Sequence, residues 1–407
     1  MRINIREWRM RKSMLAAALL SATTAHAAMP KPGSYITQNG LELTPKLSVG
    51  AMYDDNIFST ANNEQSSMIY TATPELEMAY DDGINRHQLT TRLSSAAYIQ
   101  SSADNYTDGH IGYLSHFEPS RRHRFNVRVD ADWNVERRGE GLSEGQPNAF
   151  AEPLTYEQQD YHADYEFGAQ TAMYRVKFDA GYYNKNYTRF ETITQYRDYD
   201  KANFGATLYF NSQSRSDVFV SVHQNNYRYD VVDINGVTRD SDDYQAYAGY
   251  SWEATALTEG EFKVGYQKKD FANAARENFS GVSWQAKIKW QPLTYSHFRF
   301  TTSRSARDPL VEGDYVRETF YEAQWVHQWR ENLQTKVAYS YTDDEFVGVS
   351  RQDSLRGLTL AMDYALSPSV VLSSYYELRN DNSTRDDLAF DRNRIGLTVQ
   401  FALMGSR

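Results

Sequence analysis

The chain contains no cysteine. Disulfide staples, thiolate metal sites and cysteine nucleophiles are therefore excluded, and the fold must be held together by other means. Nor does any segment beyond the first few dozen residues approach 18 consecutive apolar residues, which excludes a helical membrane protein. A transmembrane barrel survives that test, because its strands alternate lipid-facing apolar residues with lumen-facing polar ones. Basic charge is also in deficit: 43 Lys and Arg stand against 53 Asp and Glu, a net charge of −10. No basic stripe is dense enough to neutralise many phosphates, so nucleic acid is excluded as a partner. Catalytic spacing is missing as well. His110, His116, His162 and His223 stand apart, no metal-binding His-Glu-x-x-His pattern occurs, and no Ser, His and Asp trio stands out. The expectation is a chain that is not an enzyme and carries no cofactor or resident metal.

What is present begins with an export signal. Basic residues Arg2, Arg6, Arg9, Arg11 and Lys12 precede an apolar run from Met14 to about Ala25 and the small-residue motif Ala25-His26-Ala27. At 12 residues the run is too short to span a bilayer, and the pattern predicts a Sec-type signal peptide over 1–27, cleaved after Ala27. Its removal takes the net charge from −10 to −14.

Strict alternation then recurs along the chain. Phe125, Val127, Val129, Ala131 and Trp133 are apolar around Arg124, Asn126, Arg128, Asp130 and Asp132. Tyr174, Val176, Phe178 and Ala180 alternate with Arg175, Lys177 and Asp179, and Trp284, Ala286, Ile288 and Trp290 with Gln285, Lys287 and Lys289. Period two over about ten residues is a strand with one apolar and one charged face. Eighteen such runs can be placed, among them 106–117, 123–133, 160–169, 174–183, 216–223, 332–341 and 369–378. Short turns follow every second run, at Asp81-Asp82-Gly83, Glu118-Pro119-Ser120, Gln291-Pro292-Leu293 and Ser367-Pro368, whereas longer polar loops, near 134–159, 184–199 and 224–242, follow the others. That asymmetry predicts an all-β fold: one transmembrane antiparallel up-and-down β-barrel over 41–407, of 16–18 strands, with short periplasmic turns and longer extracellular loops. Residues 28–40 form a short periplasmic segment before it.

A ring of aromatics supports the same topology. Tyr80, Phe117, Phe167, Phe210, Trp252, Trp290, Trp329, Tyr364 and Phe401 each end a down-going strand, about 40 residues apart on average. Such a ring at one level is what an interfacial girdle requires. A repeat of that length also marks a β-propeller blade, but a blade divides into four runs of about five residues and these repeats divide into two of about ten. Ten tilted residues cross a bilayer core.

The inward face is then defined by Arg124, Arg128, Asp130, Asp132, Arg175, Lys177, Asp179, Lys263, Lys287, Lys289, Arg299, Lys336 and Arg394, all alternating with apolar neighbours. These are the expected pore-lining residues, able to attract carboxylates or to pair with one another across the wall. Asp-rich segments at Asp240-Ser241-Asp242-Asp243 and Thr342-Asp343-Asp344-Glu345 read as loops with hard-cation chemistry, though solvated acidic loops are commoner.

Two segments carry resemblances. Gly396-Leu397-Thr398-Val399-Gln400-Phe401 resembles the C-terminal signal read by the barrel-assembly machinery, with six residues following the Phe. Val49 to Phe58, centred on Tyr53-Asp54-Asp55-Asn56, resembles the opening of an outer-membrane β-barrel porin family often encoded with exopolysaccharide and capsule gene clusters. The resemblance implies a porin-like barrel in the Gram-negative outer membrane, in contact with lipopolysaccharide, that exports a polysaccharide and meets periplasmic export components. Read without it, Asp54-Asp55-Asn56 is a turn-forming cluster with a backbone-capping role. Uptake or general diffusion of small hydrophilic solutes, and an enzyme or adhesin built on a barrel, stay open as alternatives.

Overall fold

The computed structural model describes residues 33–213, 216–233, 236–253 and 257–402. The expected signal peptide and its cleavage point lie outside the described residues, as do 403–407. A two-residue strand β1 (Tyr35–Ile36) comes first and pairs with the start of the next. Nine strands follow: β2 (Glu42–Asp54), β3 (Ser67–Asp81), β4 (Arg86–Tyr98), β5 (Tyr106–Ser120), β6 (His123–Glu136), β7 (Leu154–Phe167), β8 (Tyr174–Tyr187), β9 (Tyr199–Gln213) and β10 (Ser216–Tyr229). Nine more complete the wall: β11 (Ser241–Trp252), β12 (Thr258–Phe271), β13 (Phe279–Leu293), β14 (Ser296–Arg307), β15 (Tyr315–Arg330), β16 (Leu333–Val347), β17 (Arg351–Ser367), β18 (Val370–Ser383) and β19 (Phe390–Ala402).

Each strand from β2 to β19 pairs antiparallel with its neighbours, and β19 returns to β2 through partners from Arg394↔Asp54 to Ala402↔Lys46. The result is a closed 18-stranded barrel. Closure leaves no sheet edge, so the ladder satisfies the backbone groups of the wall without help from solvent, as hydrocarbon demands.

Alternation assigns the two faces. Phe178, Val222 and Leu397 are 53%, 58% and 57% exposed and point outward, while residues of opposite parity point inward. The nine girdle aromatics all have outward parity. Tyr80, Phe117, Phe167, Trp290, Trp329 and Tyr364 are exposed. Phe210 is shielded by Tyr174, with ring centroids 5.5 Å apart, and Trp252 by Tyr250 at 5.7 Å; Phe401 is half-buried. A second belt of exposed outward aromatics lies towards the long-loop end: Tyr53, Tyr70, Trp133, Tyr161, Tyr182, Tyr244, Tyr266 and Tyr339. The turn positions reveal only the first belt, because the second falls in mid-strand.

Several boundaries move. Strands run further towards the long loops than hydropathy indicates: β8 to Tyr187, β10 to Tyr229, β16 to Val347 and β18 to Ser383. The connections shrink accordingly to 137–153, 188–198 and 230–240. Above the apolar belt both faces are polar, so alternation ends while the hydrogen-bonded ladder continues. Pro119 and Pro292 also lie inside strands rather than at turn centres, at irregularities between Phe117 and Ser120 and between Trp290 and Leu293. A bulge tolerates proline because it makes no ladder bond there. The acidic segments are corrected in the same way. Asp242 and Asp243 belong to β11, and Asp343 and Asp344 to β16, so successive carboxylates point to opposite faces instead of converging on one ion.

Candidate channel constriction

All thirteen expected pore-lining residues have inward parity, and many are tied to neighbours on the wall. Arg124 bonds Glu166 at 2.8 Å, Glu166 also receives Arg175 Nε at 2.7 Å, and Arg175 reaches over the Tyr209 ring to Asp217 at 2.8 Å. One chain of alternating charge thus crosses from β6 to β10. Arg128 bonds Asp160 at 2.9 Å and approaches Asp130 at 3.3 Å; Arg394 bonds Glu377 at 2.6 Å. Asp179 faces His223 at 3.6 Å, and Asp132 meets His110 Nδ1 at 2.7 Å and accepts from Gln158 at 3.0 Å. On the far side Lys289 bonds Glu259 at 3.0 Å, Arg299 donates to Gln324 at 3.3 Å, and Lys263 sits 4.9 Å over the Tyr247 ring. Lys177, Lys287 and Lys336 hold inward positions on β8, β13 and β16. The charged histidine neighbours belong to these wall networks, and among the described residues no group of three or more His, Asp or Glu is arranged to hold a metal.

Tyr53-Asp54-Asp55-Asn56 sits where the first and last barrel strands meet. Asp54 is fully buried and accepts three bonds from Arg392. It also accepts the Asn56 backbone N–H at 3.1 Å, an Asx turn that ends β2. Asp55 receives the backbone N–H and Nδ2 of Asn393, both at 2.7 Å. Asn56 is likewise fully buried, donating to the Thr60 and Asp391 carbonyls and accepting from Thr60 N–H. Tyr53, 43% exposed, joins the outward belt. The polar atoms of Asp54, Asp55 and Asn56 are thus committed to the seam between β2 and β19 and to the turn that follows β2.

The feature that hydropathy does not disclose is the loop 137–153 between β6 and β7. Its foot is apolar: Phe150, Leu154, Tyr156 and Tyr187 cluster with Leu142 and Phe190. Arg138 secures its start with two bonds to Asp104, at 2.6 and 2.8 Å, and lies over the Phe58 ring. Gly139, at φ +84°, passes so close to the Phe58 carbonyl that a Cβ would lie 1.8 Å from its oxygen. From there the loop crosses the outer mouth. Glu140 reaches Arg392 on β19 at 3.3 Å, and Glu144 forms a fork with Arg351 on β17 at 2.9 and 3.1 Å. β17 is seven strands from β6 by the shorter way round, of a possible nine, so the loop spans most of the lumen.

A second set of loops meets it. Arg197 donates to the Leu310 and Val311 carbonyls at 2.8 and 3.0 Å, joining the loops after β8 and β14. Arg239 and Arg276 converge on Asp233 at 3.2 and 3.5 Å. Burial, and after it the charge of Arg239, pulls both Arg197 and Arg276 below their ordinary values. Arg351 and Arg385 both bond Glu312, which ties this group to the first loop.

A closed barrel with an apolar, aromatic-belted outer wall, a charged inner wall and loops drawn across one mouth defines an outer-membrane porin-like channel. The chain belongs to the family described as "Putative beta-barrel porin 2", whose model matches residues 36–403. Among curated proteins no sequence matches it. Similar solved structures include Pseudomonas aeruginosa OccK2 (OpdF), at 11% identity over 89% of this chain and 98% of that one with a TM-score of 0.50. The same protein in complex with glucuronate gives the same values. A BenF-like porin from Pseudomonas fluorescens Pf-5 matches at 10% identity over 91% of this chain and all of that one, with a TM-score of 0.49. At such identities the likeness is one of fold.

Proposed function

We propose that the barrel passes a hydrophilic, charged carbohydrate across the outer membrane, and that its role is the release of an exopolysaccharide or capsular polysaccharide. The observation that carries the channel reading is the contrast of its two walls, with a lumen lined along its length by charged groups of both signs that hydrate a passing solute. The export direction rests on the resemblance at Tyr53-Asp54-Asp55-Asn56. On this reading periplasmic export components meet the short-turn end, and the barrel-assembly machinery reads the last strand. Uptake of small hydrophilic solutes is a second reading, favoured by the loop 137–153, because a spanned mouth admits an extended chain or a small solute and sieves anything broader.

Deletion of the gene in its native host separates the two. Export predicts polymer retained in the periplasm, measured by fractionation and uronic-acid and hexose assays, with rescue by the intact chain. Normal polymer release together with slowed growth on a limiting solute overturns export and supports uptake.

A further inference from the structure

Arg351 and Arg392 share an arrangement that wall-stiffening alone does not require. Each has one edge of its guanidinium fixed by a carboxylate on the wall. Asp353, itself held by Ser383 at 2.6 Å, takes the Nε edge of Arg351, and Asp54 takes the Nε edge of Arg392. The other Nη groups meet Glu144 and Glu312 on Arg351, and Ser59 and Glu140 on Arg392. Both arginines thus meet glutamates of one loop, Glu144 and Glu140. The side chains of Arg351 and Arg392 are 3% and 2% exposed, whereas Glu144 is 35% exposed and open to exchange with solvent. The loop keeps its apolar foot and its Arg138–Asp104 bonds without either glutamate.

We propose that Arg351 and Arg392 are two carboxylate-binding positions at the outer mouth, on strands β17 and β19, and that Glu144 and Glu140 respectively occupy them in place of a solute. The two positions deepen the channel reading and rest on it: the carboxylates they take are those of a uronate-bearing saccharide. A pre-oriented guanidinium fork matches a carboxylate in two parallel bonds, as the Glu144 contact displays. Arg351 keeps Asp353 and Glu312, and Arg392 keeps Asp54, when the loop glutamates leave, so each arginine stays paired while its freed Nη groups bond the arriving carboxylate. Loop displacement and solute binding become a single exchange. The occupied state lowers the apparent affinity of each position by the fraction of time the loop holds it.

The test is titration calorimetry on the purified, detergent-solubilised barrel, with trigalacturonate as the probe and maltotriose as the neutral control. The paired change Glu140→Gln and Glu144→Gln keeps the shape of both side chains and removes the competing charges. It is expected to tighten trigalacturonate binding by about 10-fold or more. Adding Arg351→Gln to that background is expected to abolish the part of the gain that arises at Arg351, with slower migration on heating in SDS confirming that the barrel is folded. An equal gain for succinate keeps the positions but changes their ligand from a saccharide to small dicarboxylates. Unchanged trigalacturonate affinity in the paired variant, or an equal gain for maltotriose, overturns the proposal. Bilayer conductance of the same samples is read separately: a barrel that binds yet passes no ions overturns the channel reading and leaves the binding positions standing.

Discussion

Arg392 and Asp54 lie 338 residues apart in the chain and are bonded at 2.6, 3.0 and 3.1 Å, with Asp54 fully buried. The pair closes the barrel at the seam where its last strand returns to its first. Ladder pairing from Arg394↔Asp54 downward is backbone chemistry that many registers satisfy; the Arg392 contact belongs to one register alone. Removing Asp54 leaves the buried Arg392 with only the 3.3 Å contact to Glu140 as a carboxylate partner among the described residues, and breaking a buried pair of this kind costs up to about 3–5 kcal/mol. Asp54→Ala is therefore expected to lower the temperature at which the barrel loses its compact migration in SDS, while Asp55→Ala, which loses only bonds from Asn393, has a smaller effect. Equal thermal shifts for the two would show that the seam is held by the ladder and not by this pair.

Much of this fold is legible in the sequence, and the reason is local. Alternation at Phe125 to Trp133 or Trp284 to Trp290 reports a strand, its inward face and its outward face from ten residues, because a bilayer imposes the same contrast on every strand. All eighteen barrel strands are visible in that way. The strand extensions at Tyr187 and Tyr229 are not, because no lipid contrast exists above the membrane. Least legible is the loop 137–153. Glu140 and Glu144 read as two solvated charges until the fold brings Arg392 and Arg351 opposite them, more than 200 residues away. The Asp54 to Asn56 cluster was legible as a turn, but its partner strand was not.

Orientation follows from the two kinds of connection. Val349 lies in a turn at the long-loop end and Ile84 in a turn at the short-turn end, and both are exposed. Because the chain has no cysteine, single substitutions label without background. Val349→Cys is expected to react with a membrane-impermeant maleimide on intact cells, and Ile84→Cys only after the outer membrane is permeabilised. Labelling of Ile84→Cys on intact cells would invert the barrel.

The outer wall makes a separate, energetic prediction. Val127 is 37% exposed on the lipid-facing side of β6, next in sequence to Asn126, which faces inward and bonds Asp164 at 2.9 Å. An arginine on the lipid face costs about 2–4 kcal/mol at mid-membrane and less towards either interface. Val127 lies between the two aromatic belts, two residues from Phe125 at the girdle level, whereas on the inward face an arginine meets water. Val127→Arg is thus expected to reduce assembled barrel in outer-membrane fractions sharply, while Asn126→Arg, placed beside Asp164, assembles almost normally. Equal yields of both variants would mean that this strand does not face lipid.

Ion preference provides the last prediction. Lys289 on β13 lies directly opposite Arg299 on β14, with Lys287 two residues further along the same inward face opposite Thr301. Three basic groups therefore share one patch of wall. Lys289 bonds Glu259, but the two side chains are 30% and 51% exposed, so solvent screens that pair and leaves much of the field intact. Replacing Lys287, Lys289 and Arg299 together with Glu turns three positive charges into three negative ones on a surface that already meets water. The fold is expected to survive, because outward residues such as Trp290 and Phe300 are untouched. Reversal potentials in a salt gradient are expected to move towards cation preference, and the shift to shrink as ionic strength rises and the Debye length falls to about 3 Å at 1 M. If export runs past this patch, cells carrying the triple change retain an acidic polymer that the unaltered chain releases. An unchanged reversal potential at low salt would place the conducting path away from β13 and β14.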